Sequence, residues 1–246
     1  MPATLTDIAR ETRTSISTVS RVLAGGSAAA RISQGTRERV MEAARRLGYR
    51  PNLVARSLRT RRSNTVALLV SDIANPWFGE IAVRELEWAL DEGLRGLKLH
   101  PVYQGFAMNN AIVYPLVEVA AQRRVPIYAH CGSAHFGEPL RLVELARRYP
   151  EVTFIMGHSS FSDFWNDLPR CHQFAPNILF ETSRNGPGNF QQIGTEIGTA
   201  FMVFGSNAPE HYYHVDMPML REVFPDPADQ EKIFHANIAR VLGGLP

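Results

Sequence analysis

The chain has 246 residues, 45% of them hydrophobic and 20% charged, the balance of a folded globular protein with room for one large domain or two modest ones, and not of a disordered tail. Two cysteines, Cys131 and Cys171, exclude a disulfide scaffold and a four-cysteine zinc ribbon. The net charge of +2 conceals a division: residues 1–62 hold thirteen arginines, no lysine and four acids, a net of +9, and the remainder carries −7. All eight histidines lie from His100 onward. One end of the chain therefore suits a polyanion and the other something else. The first fifteen residues are polar, and no apolar run approaches the ~20 residues of a membrane span, so a cytoplasmic protein with no membrane contact is expected.

In chain order, a short first helix is expected near Thr6, with Asp7 in its first turn and Ile8 and Ala9 on its apolar face. Thr14-Ser15 interrupts the pattern. Ser17 or a neighbouring hydroxyl caps a second helix through Val19, Val22 and Leu23, which Gly25-Gly26 ends. A third helix follows Ser33, with Val40, Ala43, Ala44 and Leu47 on one face and Gly48 as its stop. The arrangement is that of a helix-turn-helix unit. Charge and periodicity alone fit a small arginine-rich bundle equally well.

The residues themselves separate the two readings. Thr4-Leu5-Thr6-Asp7-Ile8-Ala9, Ser15 to Leu23, Thr36-Arg37, Arg39-Val40, Ala43-Ala44 and Leu47-Gly48-Tyr49-Arg50-Pro51-Asn52 closely resemble the DNA-binding headpiece of the lac-repressor (LacI) family. The resemblance covers residues 4–81. Arg13 departs from it, standing where the family usually has a turn glycine. The resemblance implies that Ile16, Ser17 and Arg21 read bases in the major groove and that Thr18 and Ser20 meet phosphates. It also implies a hinge helix over Asn52 to Leu58, with Ala55 and Leu58 at the minor groove. Packing of Leu58 against a neighbouring helix is the plainer alternative. Double-stranded DNA and a homodimer are the implied partners. Thr65–Val70 resembles the first strand of the family's sugar-binding core, and Asp72 with Asn75-Pro76-Trp77-Phe78 its following loop, but nothing after Ala82 continues that fold. Sugar sensing is not expected.

From Val83 helical and strand patterns alternate, which indicates βα units and a parallel sheet. Val83 to Glu92 leads to Leu94–Leu99, helix 111–124 to Val125–Ala129, helix 139–149 to Val152–Met156, and a further connection to Asn177–Glu181. Ala200–Phe204 is the last strand, followed by a closing helix near 227–242. Each strand ends in polar residues: Lys98-Leu99-His100-Pro101, His130-Cys131-Gly132, Gly157-His158-Ser159, Glu181-Thr182-Ser183 and Gly205-Ser206-Asn207-Ala208-Pro209. The expected fold is multi-domain, an all-α helix-turn-helix head plus an α/β partial TIM-type (β/α) barrel of about five strands. The expected domains are 1–62, a remnant core strand and loop over 63–82, and the partial barrel over 83–246.

These strand ends resemble, in order, the fourth to eighth strands of the amidohydrolase superfamily, in its branch related to aminocarboxymuconate-semialdehyde decarboxylase. The resemblance implies a divalent metal, usually zinc, on His130, an acid or base in His158, and Lys98 and His100 at the pocket rim. An aspartate is implied where Asn207 stands, so this catalytic position is degenerate. The first-strand His-x-His pair of the family occurs nowhere in the chain, and the 164 residues after Ala82 leave room for about five βα units. His211 with His214, and His130 with His135, lack a matching third ligand. An incomplete site holding at most a weak metal is expected, and a small-molecule substrate is doubtful. Three readings stand side by side: a DNA-binding regulator with a crippled barrel, a metal-dependent hydrolase or decarboxylase, and a non-functional fusion of two fragments.

Overall fold

The computed structural model describes residues 4–24, 32–47, 76–133 and 135–243. The chain forms two compact units, Met1–Thr65 and Val66–Pro246. No helix among the described residues is long and apolar enough to cross a membrane.

The first unit contains α1 (Leu5–Thr12), α2 (Ile16–Ala24) and α3 (Gln34–Arg46). Thr4 caps α1 reciprocally: its hydroxyl accepts the Asp7 N–H (3.3 Å), while the Asp7 carboxylate accepts the Thr4 N–H (2.9 Å). Ser15, a neighbour of the expected Ser17, caps α2 by accepting the Thr18 N–H at 3.0 Å. Ser33 caps α3 as expected. Ile8, Ala9, Val19, Val22, Val40, Ala43 and Ala44 are buried together, so each helix contributes one apolar stripe to a common core. An Arg46–Glu11 ion pair ties α3 to α1. Arg13 closes α1 in the left-handed region (φ 52°) that favours glycine. The stops at Gly25-Gly26 and Gly48, the hinge residues Asn52, Ala55 and Leu58, and the strand at Val66–Val70 lie outside the described residues.

Among the described residues, the second unit begins with α4 (Pro76–Asp91), which runs unbroken through Ala82 and Val83. Pro76-Trp77-Phe78, expected in a loop, form its first turn instead. Proline needs no N–H partner there and already has helical φ. Among the described residues, β1 (Leu97–Leu99), β2 (Ile127–His130), β3 (Phe154–Gly157), β4 (Ile178–Glu181) and β5 (Met202–Val203) form a parallel sheet in sequence order. The strands fall within the expected stretches or one residue past them, and the sheet is the expected partial barrel. Short α5 (Pro101–Gln104), then α6 (Tyr114–Arg123), α7 (Pro139–Arg148), α8 (Leu168–Phe174) and α9 (Pro187–Gln192) link them. After β5 come α10 (Tyr213–Val223), α11 (Pro227–Glu231) and α12 (Asn237–Val241). The single closing helix expected near 227–242 is divided, because Lys232–Ala236 widens to a π turn between α11 and α12.

Strand alternation separates two faces. Leu99, Ile127, Ala129, Phe154, Met156, Ile178, Phe180 and Met202 pack outward into the helical layer. The inner face carries Lys98, Tyr128, Ile155, Leu179, Glu181 and Val203. Part of it is covered by α12: Ile238 and Val241 pack with Ile155, Leu179 and Val203. The Leu242 carbonyl accepts from Arg95 Nη1 at 2.8 Å, which pins the end of α12 to the segment leading into β1.

Two substitutions test this account. Arg13→Gly removes a left-handed side-chain residue, a conformation that costs ~1–2 kcal/mol; the α1 and α2 amides should then exchange hydrogen several-fold more slowly. Ile238→Asp places a charge against the inner face and should lower the melting temperature of the second unit by several degrees, read from the fluorescence of its tryptophans.

Candidate functional site

In the head, Ile16, Ser17 and Arg21 are exposed along α2, and Thr18 and Ser20 are half-buried, while Val19 and Val22 turn into the core. Ile16 is 49% exposed although it opens an otherwise apolar helix. Residues 16, 17, 20 and 21 share one helical face by their spacing of four. The Ser15 hydroxyl lies 2.8 Å from those of both Ser17 and Thr18, which groups polar atoms at the helix's positive end.

In the second unit the chemistry gathers where the strands end. Glu181, the last residue of β4, is 3% exposed, yet four donors reach it. Its Oε2 accepts from Tyr128 Oη (2.8 Å), the His158 N–H (2.8 Å) and Ser183 Oγ (2.8 Å), and its Oε1 accepts from the Ser183 N–H (2.7 Å). Glycines make the room. A Cβ at Gly205 would fall on the carboxylate, and one at Gly157 would lie 2.7 Å from the Tyr128 ring. Sequence reasoning quoted Glu181 as part of a polar strand end without giving it a role. The available signal was an acid at an inward position of an apolar strand.

The carboxylate orients a chain of hydrogen bonds. Ser183 donates to Glu181, so the Ser183 oxygen accepts from His158 Nδ1–H (2.7 Å). His158 Nε2 is then the acceptor for His130 Nδ1–H (3.1 Å), and His130 Nε2 faces the Ser133 hydroxyl (3.4 Å). The two histidines singled out in the sequence are therefore bonded to each other. His100 stacks on His130 with ring centres 3.9 Å apart. Asn207 stands apart from this chain, its amide donating to Glu210 Oε2 at 3.0 Å. Six of the eight non-glycine residues with positive φ among the described residues lie in loops that follow strands: His135, His158, Ser159, Ser160, Arg184 and Asn207. Such conformations persist where surrounding contacts over-determine them, and they cluster at functional sites.

This donor set does not fit a catalytic dication. His130 Nδ1 and His158 Nε2 lie 3.1 Å apart and supply only two neutral nitrogens. No group of three or more His, Cys, Asp or Glu side chains suited to a metal occurs among the described residues, and a catalytic zinc needs three protein ligands. Burial pushes the His158 imidazole down to about 4 and His130 to about 3, and Lys98 and Arg184 push in the same direction. Cys131, beside His130, is buried and its thiol is pushed up by desolvation, so it behaves as a small apolar residue.

Both histidines are neutral in the folded chain and take up a proton more readily when unfolded, near pH 6.5. Between pH 6.5 and 4 the unfolded state binds more protons, so stability is full above this window and falls as pH drops through it. The melting temperature of the second unit should decline from pH 7 to pH 4, and His158→Asn should flatten that decline.

Comparison with known proteins matches two overlapping stretches of the chain to different relatives. The profile of the family described as amidohydrolase matches residues 28–244. The transcriptional regulator RegA of Clostridium acetobutylicum, of helix-turn-helix type, is 46% identical over 81 residues, which are 33% of this chain and 23% of the regulator. The chain thus matches about a quarter of that relative's length. A putative amidohydrolase from Staphylococcus aureus superposes with a TM-score of 0.58 at 18% identity, covering 87% of this chain and 82% of its own. A dihydroxybenzoic acid decarboxylase from a Polaromonas species, solved with bound manganese, does so with a TM-score of 0.58 at 17% identity, covering 84% and 76%. The chain belongs to the amidohydrolase family, and its first third resembles the helix-turn-helix head of LacI-type regulators.

Proposed function

We propose that the protein is a DNA-binding regulator that acts through residues 1–62, and that its barrel has lost metal-dependent hydrolase or decarboxylase chemistry. The observation that carries the first part is the face of α2, where an isoleucine, two serines and an arginine are presented by a helix whose other side is locked into a core. An arginine can donate two bonds to guanine, worth ~1–3 kcal/mol of discrimination, and Ile16 can meet a thymine methyl. The +9 charge of the head supplies the part of the affinity that ignores sequence. In this reading Asn52, Ala55 and Leu58 form the minor-groove contact, residues 63–82 are a remnant of a lost core, and the partial barrel spans 83–246. Two heads are needed to reach half-sites about one helical turn apart, so a lone chain binds weakly. The natural ligand is double-stranded DNA, met in the cytoplasm.

The chemistry of the second unit supports the second part. A bound divalent metal would supply a water acidified to a pKa of ~7. The manganese of the decarboxylase neighbour belongs to that protein. In this chain the ligand count is short, and His130 and His158 hold a metal at most loosely.

Filter binding to duplex DNA at two salt concentrations should give retention at low salt that falls steeply as salt rises, with Arg21→Ala losing sequence preference and keeping the salt dependence. No retention at low salt would end the reading. For the barrel, calorimetric titration with zinc should find no tight stoichiometric site, and a panel of ester, lactone and carboxylate substrates no turnover. Tight zinc lost on His130→Ala, together with turnover, would favour the hydrolase reading instead.

A further inference from the structure

The turn that joins α1 to α2 holds a side chain where the backbone suits none. Arg13 sits at φ 52° and ψ 43°, the left-handed region in which a Cβ is crowded and glycine is at ease. Contacts on both sides fix it there. The Arg13 N–H donates to the Arg10 carbonyl at 3.4 Å, and the Thr14 N–H to that of Ala9 at 3.0 Å. The buried Thr12 hydroxyl donates to the Ile8 carbonyl at 2.8 Å and accepts from the Thr14 hydroxyl at 2.8 Å. The turn therefore sets the direction in which the Arg13 side chain leaves the backbone.

Nothing in the described part of the head occupies that side chain. It is exposed, and it forms no hydrogen bond, ion pair or ring contact among the described residues. The acids of α1 are committed elsewhere: Asp7 to Thr4 and Arg10, and Glu11 to Arg46. Glu42 borders the same groove between α1 and α3, with Arg39 and Arg46, and forms no ion pair with Arg13 among the described residues. Along the chain Arg13 stands two residues before Ser15, which caps α2, and three before Ile16, where the exposed face of α2 begins. Three residues span at most ~11 Å, so an uncompensated cation borders that face.

We propose that Arg13 is a further DNA-contacting residue of the head, one that meets a backbone phosphate beside the groove that α2 reads. The inference rests on the DNA-binding reading above. A residue held in an unfavourable backbone conformation, with no packing or pairing of its own, is what a surface contact with an absent polyanion leaves behind in the free protein. Phosphate contacts position a head on the duplex and carry no sequence information, so Arg13 complements Arg21 and does not duplicate it. The competing role is structural: a cation at the C-terminus of α1 is favoured by the helix dipole. That role predicts that glycine at this position loosens the head and leaves the salt dependence of binding alone. A phosphate contact with a strained backbone predicts the opposite on both counts.

The test measures binding of the full chain to two duplexes of unrelated sequence over a range of salt concentrations, beside amide hydrogen exchange of α1 and α2. Arg13→Gly and Arg13→Asn should each lower the slope of log affinity against log salt by about 0.9, the share of one phosphate, and weaken binding at low salt several-fold on both duplexes alike. Asparagine is included because it removes the charge while tolerating the left-handed backbone. Arg13→Gly should at the same time slow exchange in α1 and α2, so that the better-folded head binds less well. Arg13→Lys should keep the slope. Arg45→Gln removes the same charge from an exposed position on α3 and should change the slope much less. Retention of the unmodified chain with an unchanged slope in both Arg13→Gly and Arg13→Asn overturns the role of Arg13 and leaves the DNA-binding reading standing. An equal fall in Arg45→Gln, which would mark a net-charge effect, or faster exchange in both neutral Arg13 variants, which would mark a structural prop, overturns it likewise. No retention of the unmodified chain at low salt overturns the DNA-binding reading and this inference with it.

Discussion

A buried carboxylate is the constraint on which the strand ends depend. Glu181 sits where an unpaired charge would cost several kcal/mol, and it is tolerated because four hydrogen bonds converge on it. Those donors come from β2, from the loop after β3 and from the loop after β4, so one side chain sets the positions of three segments. The same carboxylate determines which nitrogen of His158 carries a proton, and through it which nitrogen of His130 does. Gly157 and Gly205 belong to this arrangement because any larger residue would collide with Tyr128 or with the carboxylate itself.

The imidazole pair is a different use of residues whose family relatives point toward metal chemistry. A metal would take a lone pair from each ring and leave neither as a donor to the other. Here one ring donates to the other, and the outer nitrogen of His130 faces a serine hydroxyl. Asn207, where the resemblance implies an aspartate, turns its amide to Glu210 and leaves the histidines alone. The described part of the head is internally consistent. Its three caps, shared core and exposed α2 face agree with one another at each level from capping to charge.

Much of the architecture was legible in the chain itself. Short apolar runs ending in polar residues located all five strands, because β-rich segments bounded by helices leave a strong local pattern. The cap at Ser33 was legible too, whereas the first helix begins one residue before the expected Thr6, with Thr4 as its cap. Pro76-Trp77-Phe78 was not: a proline beside aromatic residues signals a turn and a helix start alike. The π turns at Ile193–Ile197 and Lys232–Ala236 have no short-range signature. His130 and His158 were found as strand-end residues, but their mutual bond depends on Glu181, whose role rests on contacts 23 to 53 residues away along the chain. Periodicity cannot report a pairing of that separation.

The order of the sheet has a consequence for how the chain reaches its native state. Each strand pairs with its neighbour in sequence, from β1 to β5. Each such pairing waits only for the next βα unit, so the sheet can grow from its first strand while the rest of the polypeptide is still leaving the ribosome. The inner face is different, since Ile238 and Val241 pack back onto Ile155, Leu179 and Val203, and the bond between Arg95 and Leu242 joins residues 147 apart. During synthesis that face must wait, uncovered, for the last helix. The interval before α12 arrives is therefore when a nascent chain is most exposed to sticking to its neighbours, and a chaperone that shields apolar surface would act then.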